Sequence, residues 1–163
     1  SELSNSFDIT KFQKLSTRSD MVGKISFFGK TITGLSDDVR ISKRLYIPSY
    51  RLRGFEKGKV GPVDNNDFIG GNHLTSLNMS ATLPNIVEGL DNLDVGVFLD
   101  AANVWGIDYD SSLDDKSTLR SSTGVALNLM TPIGPLSFSF ANALSKASTD
   151  KTETFRFNLG TQF

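Results

Sequence analysis

The chain has 163 residues, 38% of them hydrophobic, and no cysteine, which suits one domain and excludes disulfides, thiolate nucleophiles and cysteine-bound metals. Its formal net charge of −1, with 17 Lys and Arg scattered along the sequence, provides no long-range field for nucleic acid or an acidic substrate. A mean hydropathy of −0.17 fits a soluble domain and a membrane barrel equally well, since a barrel wall needs apolar residues only at alternate positions.

Residues 1–5 contain neither a basic n-region nor an apolar h-region. An exported protein beginning this way is expected to have lost its signal or to be the C-terminal piece of a longer chain. Eight strands are predicted beyond this point. The first, 6–15, alternates through Phe7 and Ile9, and the second, 21–33, carries Ile25, Phe27 and Phe28 before Gly34. The third, 40–47, sets Ile41, Lys43, Leu45 and Ile47 against Arg40, Ser42, Arg44 and Tyr46, and Pro48 ends it because proline cannot donate to a ladder. Residues 49–72 then run without a period and are rich in Gly, Pro, Asn and Asp. Loops of that length in a compact domain are usually functional.

The alternation returns with Leu77, Met79, Ala81 and Leu83 opposed to Ser76, Asn78, Ser80 and Thr82, and stops at Pro84. A fifth strand, 93–105, places Leu93, Val95, Val97, Leu99 and Ala101 on one face and Asp94, Gly96, Phe98, Asp100 and Ala102 on the other. After a polar loop at 106–117, Val125, Leu127 and Leu129 mark a sixth strand, followed by a tight turn at 131–135. Leu136, Phe138 and Phe140 mark the seventh, and a second polar loop covers 141–152. The eighth closes the chain, with Phe155, Phe157, Leu159, Thr161 and Phe163 opposed to Arg156, Asn158, Gly160 and Gln162.

A period of two gives each strand one apolar and one polar face. A half-buried strand of a soluble sandwich shows the same pattern, and the direction of the apolar face is not written in the sequence. Short turns alternating with long polar loops, with no helical period, match an outer-membrane barrel. Counting back from the last strand puts the C-terminus on the short-turn side, with Trp105, Tyr109 and Phe163 near the membrane interfaces.

Within the long loop stands Arg51-Leu52-Arg53-Gly54-Phe55, followed by Gly58, Gly61-Pro62 and Gly70-Gly71-Asn72. Here the chain resembles the BamA family of outer-membrane assembly factors, which carry an arginine-glycine-phenylalanine motif on a loop folded back into the barrel lumen. The resemblance continues through 98–105, ending in Trp105, through 120–138, and through the closing strand, so that it covers 40–163. It implies an all-β, antiparallel transmembrane barrel, of which these eight strands would be the C-terminal half of sixteen. The whole of 1–163 would then be barrel domain, with a lumen-directed loop at 49–72.

An Arg held inside a barrel needs a partner in fork geometry, and Asp100, on the polar face by parity, is the candidate for Arg53. Gly54 would supply a backbone angle or close approach barred to other residues, and Phe55 would wedge against the inner wall. Family members tend to carry a second acidic residue on the strand that holds Asn78; this chain has the amide there. A closed eight-stranded barrel has no room for a loop as long as 49–72, so if the loop occupies the lumen more strands are required; otherwise the chain pairs with another chain or with itself, or closes as a small barrel with the loop expelled.

Catalysis finds no foothold. His73 is the sole histidine, read as a solvated loop residue, and no metal or nucleophile constellation surrounds it, so no enzyme activity, metal or other cofactor is expected. The resemblance implies an insertase that helps barrel proteins fold into the bacterial outer membrane through a lateral seam at the last strand (Phe155, Phe157, Leu159, Gly160 and Phe163). Its partners would be the lipid bilayer, unfolded barrel substrates, accessory lipoproteins, and either a second copy or the missing half-barrel; nucleic acid is not among them. The alternatives are a small passive barrel and a secretion pore of the same superfamily.

Overall fold

The computed structural model describes residues 1–17, 20–84, 86–113 and 118–159. Among them the chain forms β1 (Glu2–Lys14), β2 (Val22–Gly34), β3 (Val63–Asp64), β4 (Asp67–Phe68), β5 (His73–Pro84), β6 (Leu93–Trp105), β7 (Arg120–Thr131), β8 (Gly134–Ser145) and β9 (Phe155–Leu159). Seven of these make one antiparallel sheet in the order β1-β2-β5-β6-β7-β8-β9, while β3 and β4 form a separate small ribbon. The sheet is open. No strand is paired to the outer edge of β1 or of β9 among the described residues.

The order follows the chain except for one excursion, 35–72, between β2 and β5. Antiparallel succession therefore puts the connections 15–21, 85–92 and 132–133 at one end of the sheet and 35–72, 106–119 and 146–154 at the other. The chain reverses tightly between β7 and β8, where Gly134 takes a φ of +123°. Between β3 and β4, Asn65 and Asn66 both have positive φ, 50° and 69°, the geometry of a two-residue turn whose twist matches its strands.

Register assigns the faces. One row runs Val97, Val125, Phe140, Phe155, the next Val95, Leu127, Phe138, Phe157, and the next Leu93, Leu129, Leu136, Leu159. The opposite face carries the row Ser26, Asn78, Asp100, Ser122. The apolar rows are the uncovered ones: Ile25 is 51% exposed, Val97 50% and Phe157 54%, whereas Asp100 and Ser122 are 0% exposed. A soluble sandwich would have this reversed, because apolar area in contact with water is unfavourable. The exposed face is a surface for hydrocarbon, and the covered face is the inner one.

The run at 40–47 is not a strand. It forms a 3-10 turn at Ile41–Lys43 and touches extended backbone at a single bridge between Leu45 and Gly71. The reason is a lack of free edge: β2 pairs with β1 on one side and with β5 on the other, so the segment after β2 has no ladder to join. It folds over the inner face, where Arg44, Leu45 and Ile47 are all buried in spite of their alternation. The polar loop expected at 141–152 is also shorter, because β8 continues to Ser145.

Candidate functional site

The excursion covers the inner face with its own apolar side chains. Val39, Leu45, Ile47, Leu52, Phe55 and Val60 bury against Ile32, Leu74, Ala102 and Val104 from the sheet. Ionic contacts then fix its course. At its base, the buried Arg44 guanidinium donates to Asp108 at 2.5 Å, and the Val39 N–H and Asn72 amide donate to the same carboxylate at 2.7 and 3.1 Å. Burial pushes the Asp108 carboxyl up, but these donors from Val39, Asn72 and Arg44 outweigh it and hold the group below the usual carboxylate range. Nearby, the Tyr109 hydroxyl donates to Asp64 at 2.7 Å, and that carboxylate raises the phenol above its ordinary value.

Further along, Arg51 donates to Asp8 on β1 at 3.0 Å and stacks over the Phe28 ring at 4.1 Å. Arg53 crosses to β6. Its Nε donates to Asp100 Oδ2 at 2.8 Å and its Nη2 to Oδ1 at 2.9 Å, a two-pronged contact that the Arg53 backbone N–H extends at 3.1 Å. The guanidinium also lies 3.7 Å from the centre of the Phe98 ring. Asn78 completes the arrangement by donating to Asp100 Oδ1 at 2.9 Å and to the Arg51 carbonyl at 2.7 Å. Where a second carboxylate would have shared the arginine, the amide bridges the first carboxylate to the loop backbone.

Gly54 follows with a φ of +90°, and a Cβ there would stand 3.0 Å from the Ala141 Cβ and 3.4 Å from that of Ser122. Both the angle and the close approach to β7 and β8 call for glycine. Phe55 is 2% exposed and its backbone bridges Thr152, in the segment leading to the last strand. In that segment Asp150 pairs with Arg120 at 2.8 Å, both side chains 0% exposed, and accepts from the Gly61 N–H at 3.2 Å. Arg156, on the inner face of β9, donates to the carbonyls of Ser49 at 3.0 Å and Phe55 at 2.5 Å.

Phe155, Phe157 and Leu159 stand on the outward face, opposite Phe140, Phe138 and Leu136, with the Phe138 and Phe157 rings 5.2 Å apart. Gly160 and Phe163 lie outside the described residues. His73 is not in a loop: it begins β5, where Nδ1 meets the Thr31 hydroxyl at 2.7 Å and the ring packs at a tilt against Trp105, centroids 5.5 Å apart. Sequence reasoning had not singled out Arg51, Arg120, Asp150 or Arg156 as loop contacts. Parity put Arg156 on the polar face, the one signal that could have raised it; Arg120 and Asp150 meet only through the fold.

Residues 3–163, which take in all of the sheet but Glu2 together with its loop, match the Omp85 superfamily domain. The chain is 32% identical over 141 residues to "Outer membrane protein assembly factor BamA" of Neisseria meningitidis serogroup B (strain ATCC BAA-335 / MC58), covering 69% of this chain and 17% of that protein. It is 27% identical over 128 residues to the protein of the same name from Neorickettsia risticii (strain Illinois), covering 77% of this chain and again 17% of the relative. The crystal structure of BamA from Haemophilus ducreyi lacking POTRA domains 1–3 superposes with a TM-score of 0.86 at 25% identity, over 96% of this chain and 34% of that one. The chain thus spans about a sixth of the length of the curated relatives it matches. From the inside-out sheet, the arginine-glycine-phenylalanine loop and these likenesses together, the chain belongs to the Omp85 superfamily and is a BamA-type β-barrel segment of the bacterial outer membrane.

Proposed function

We propose that this segment serves an outer-membrane protein assembly factor as the wall of its barrel that ends in an insertion seam, with the arginine-bearing loop as lumen plug. The names of its relatives support assembly over a passive barrel or a secretion pore. The observation that carries the seam reading is β9 itself: among the described residues it pairs with β8 through 155–159, and Phe155, Phe157 and Leu159 stand exposed on the outward face. An edge of unpaired N–H and C=O groups templates an incoming strand, and satisfying them removes a cost that lipid cannot relieve. The work is done by lowering the barrier to placing strands in hydrocarbon, with no covalent step. The partners on this reading are the bilayer, unfolded barrel clients, accessory lipoproteins and the further strands that complete the ring.

The test uses the full-length protein in liposomes with an unfolded client barrel. A single cysteine at Asn158 should crosslink to a cysteine in a client strand while the protein accelerates client folding. Acceleration with no crosslink anywhere along β9 would sink the seam, and solute conductance without client folding would favour the pore.

A further inference from the structure

The chain leading into β9 has two different neighbours. Residues 155–159 pair with 140–136 of β8, and the Ala141 N–H donates to the Thr154 carbonyl at 2.8 Å. Upstream of that point the backbone turns to the lumen loop instead. The Glu153 N–H donates to the Gly54 carbonyl at 2.9 Å, the Glu56 N–H to Lys151 at 3.0 Å, and the Lys151 N–H to Lys59 at 3.0 Å. These are ladder-type exchanges, so half of the approach to the last strand is held by the plug. Arg156 locks the join: its two terminal nitrogens take the carbonyls of Ser49 and Phe55, the two ends of the stretch that contains Arg53, and Glu153 braces the guanidinium at 3.2 Å.

We propose that Arg156 is a positioning residue for the seam strand and that it acts through the lumen loop, so that docking of Arg53 on Asp100 and placement of β9 form one cooperative unit. The unit is contiguous. Asp100 holds Arg53, the next residue Gly54 holds Glu153, and Phe55 holds both Thr152 and Arg156. A planar fork satisfies two carbonyls at fixed spacing, which a lysine's point charge does not reproduce. Any movement of the seam strand must then break or carry the plug, and any undocking of the plug frees the seam.

The inference rests on the seam reading for its purpose but is tested apart from it. In the full-length protein in nanodiscs, amide hydrogen exchange is followed in Asp100→Asn, Arg156→Ala and Arg156→Lys, with heat-modifiable gel mobility checking that each variant folds. Asp100→Asn, which alters a side chain hydrogen-bonded to Arg53 and Asn78, should speed exchange at 151–159 by about tenfold, within the roughly 5- to 150-fold range of site-to-site coupling. Arg156→Ala should do the same to 49–56, and Arg156→Lys should fail to restore it. Amides at the centres of β2 and β8 should stay protected in all three, which separates positioning from general loosening. Exchange that rises only in each variant's own segment would overturn the proposal. Failure of the unaltered protein to speed client folding would sink the seam reading and leave this coupling standing.

Discussion

Asp100 illustrates how one side chain organises the inner face. It is fully buried and accepts from the Arg53 side chain, the Arg53 backbone and Asn78, so each of its partners is left with an unmet donor if it goes. Removing one member of a buried ion pair typically costs about 3 to 5 kcal/mol, because the other charge is stranded. Arg53→Ala and Asp100→Ala should each weaken loop docking by that order. The double variant should be little worse than either single one, as read by loop protection in a double-mutant cycle; additive losses would show that the two side chains act separately. Gly54→Ala tests a different kind of fit. Its positive φ costs a side-chain-bearing residue about 1 to 3 kcal/mol before the crowding against Ala141 is counted, so loop protection should fall while the sheet amides keep theirs.

At the level of elements, alternation made all seven strands of the described sheet legible in order, and parity placed Asp100, Phe98 and Arg156 on the covered face. Alternation failed at 40–47, because it reports which side chains could share a face and not whether a neighbouring edge is free. The excursion consequently starts earlier than 49, and its base is an ionic knot of Arg44, Asp108, Val39 and Asn72 that no local pattern announces. That knot has a pH signature. The Asp108 carboxyl is held below its ordinary value, so its contribution is present above the unfolded value of about 3.9 and is lost only as pH falls through the lower folded value. The Val39 amide, bonded to Asp108, should remain protected at pH 5 and be released only below about pH 4, as followed by its exchange or chemical shift. Release already between pH 5 and 6 would contradict the assignment.

Across the whole molecule, the arrangement is the inverse of a soluble β-protein. The polar face buries arginines, carboxylates and serines under a loop, and the apolar face stands open, a choice of direction that the sequence pattern leaves undecided. Among the described residues the outer edges of β1 and β9 carry no partner strand, and lipid does not tolerate unpaired backbone. The chain on its own in detergent should therefore associate or recruit further strands, which can be checked by counting strands per closed ring in reconstituted particles; a stable, isolated seven-stranded open sheet would be inconsistent with this.

The central claim is that one face of the sheet touches hydrocarbon and the other does not, and single-cysteine labelling measures it directly, with no cysteine in these 163 residues to compete. Single cysteines placed in turn along β6 of the full-length protein in liposomes, carrying a nitroxide, report collisions with lipid-soluble oxygen. Labels at Val95, Val97 and Leu99 should collide strongly, and labels at Asp94, Gly96 and Phe98 weakly. The same alternation with the opposite phase, or uniform access to a water-soluble nickel chelate along the strand, would contradict the account.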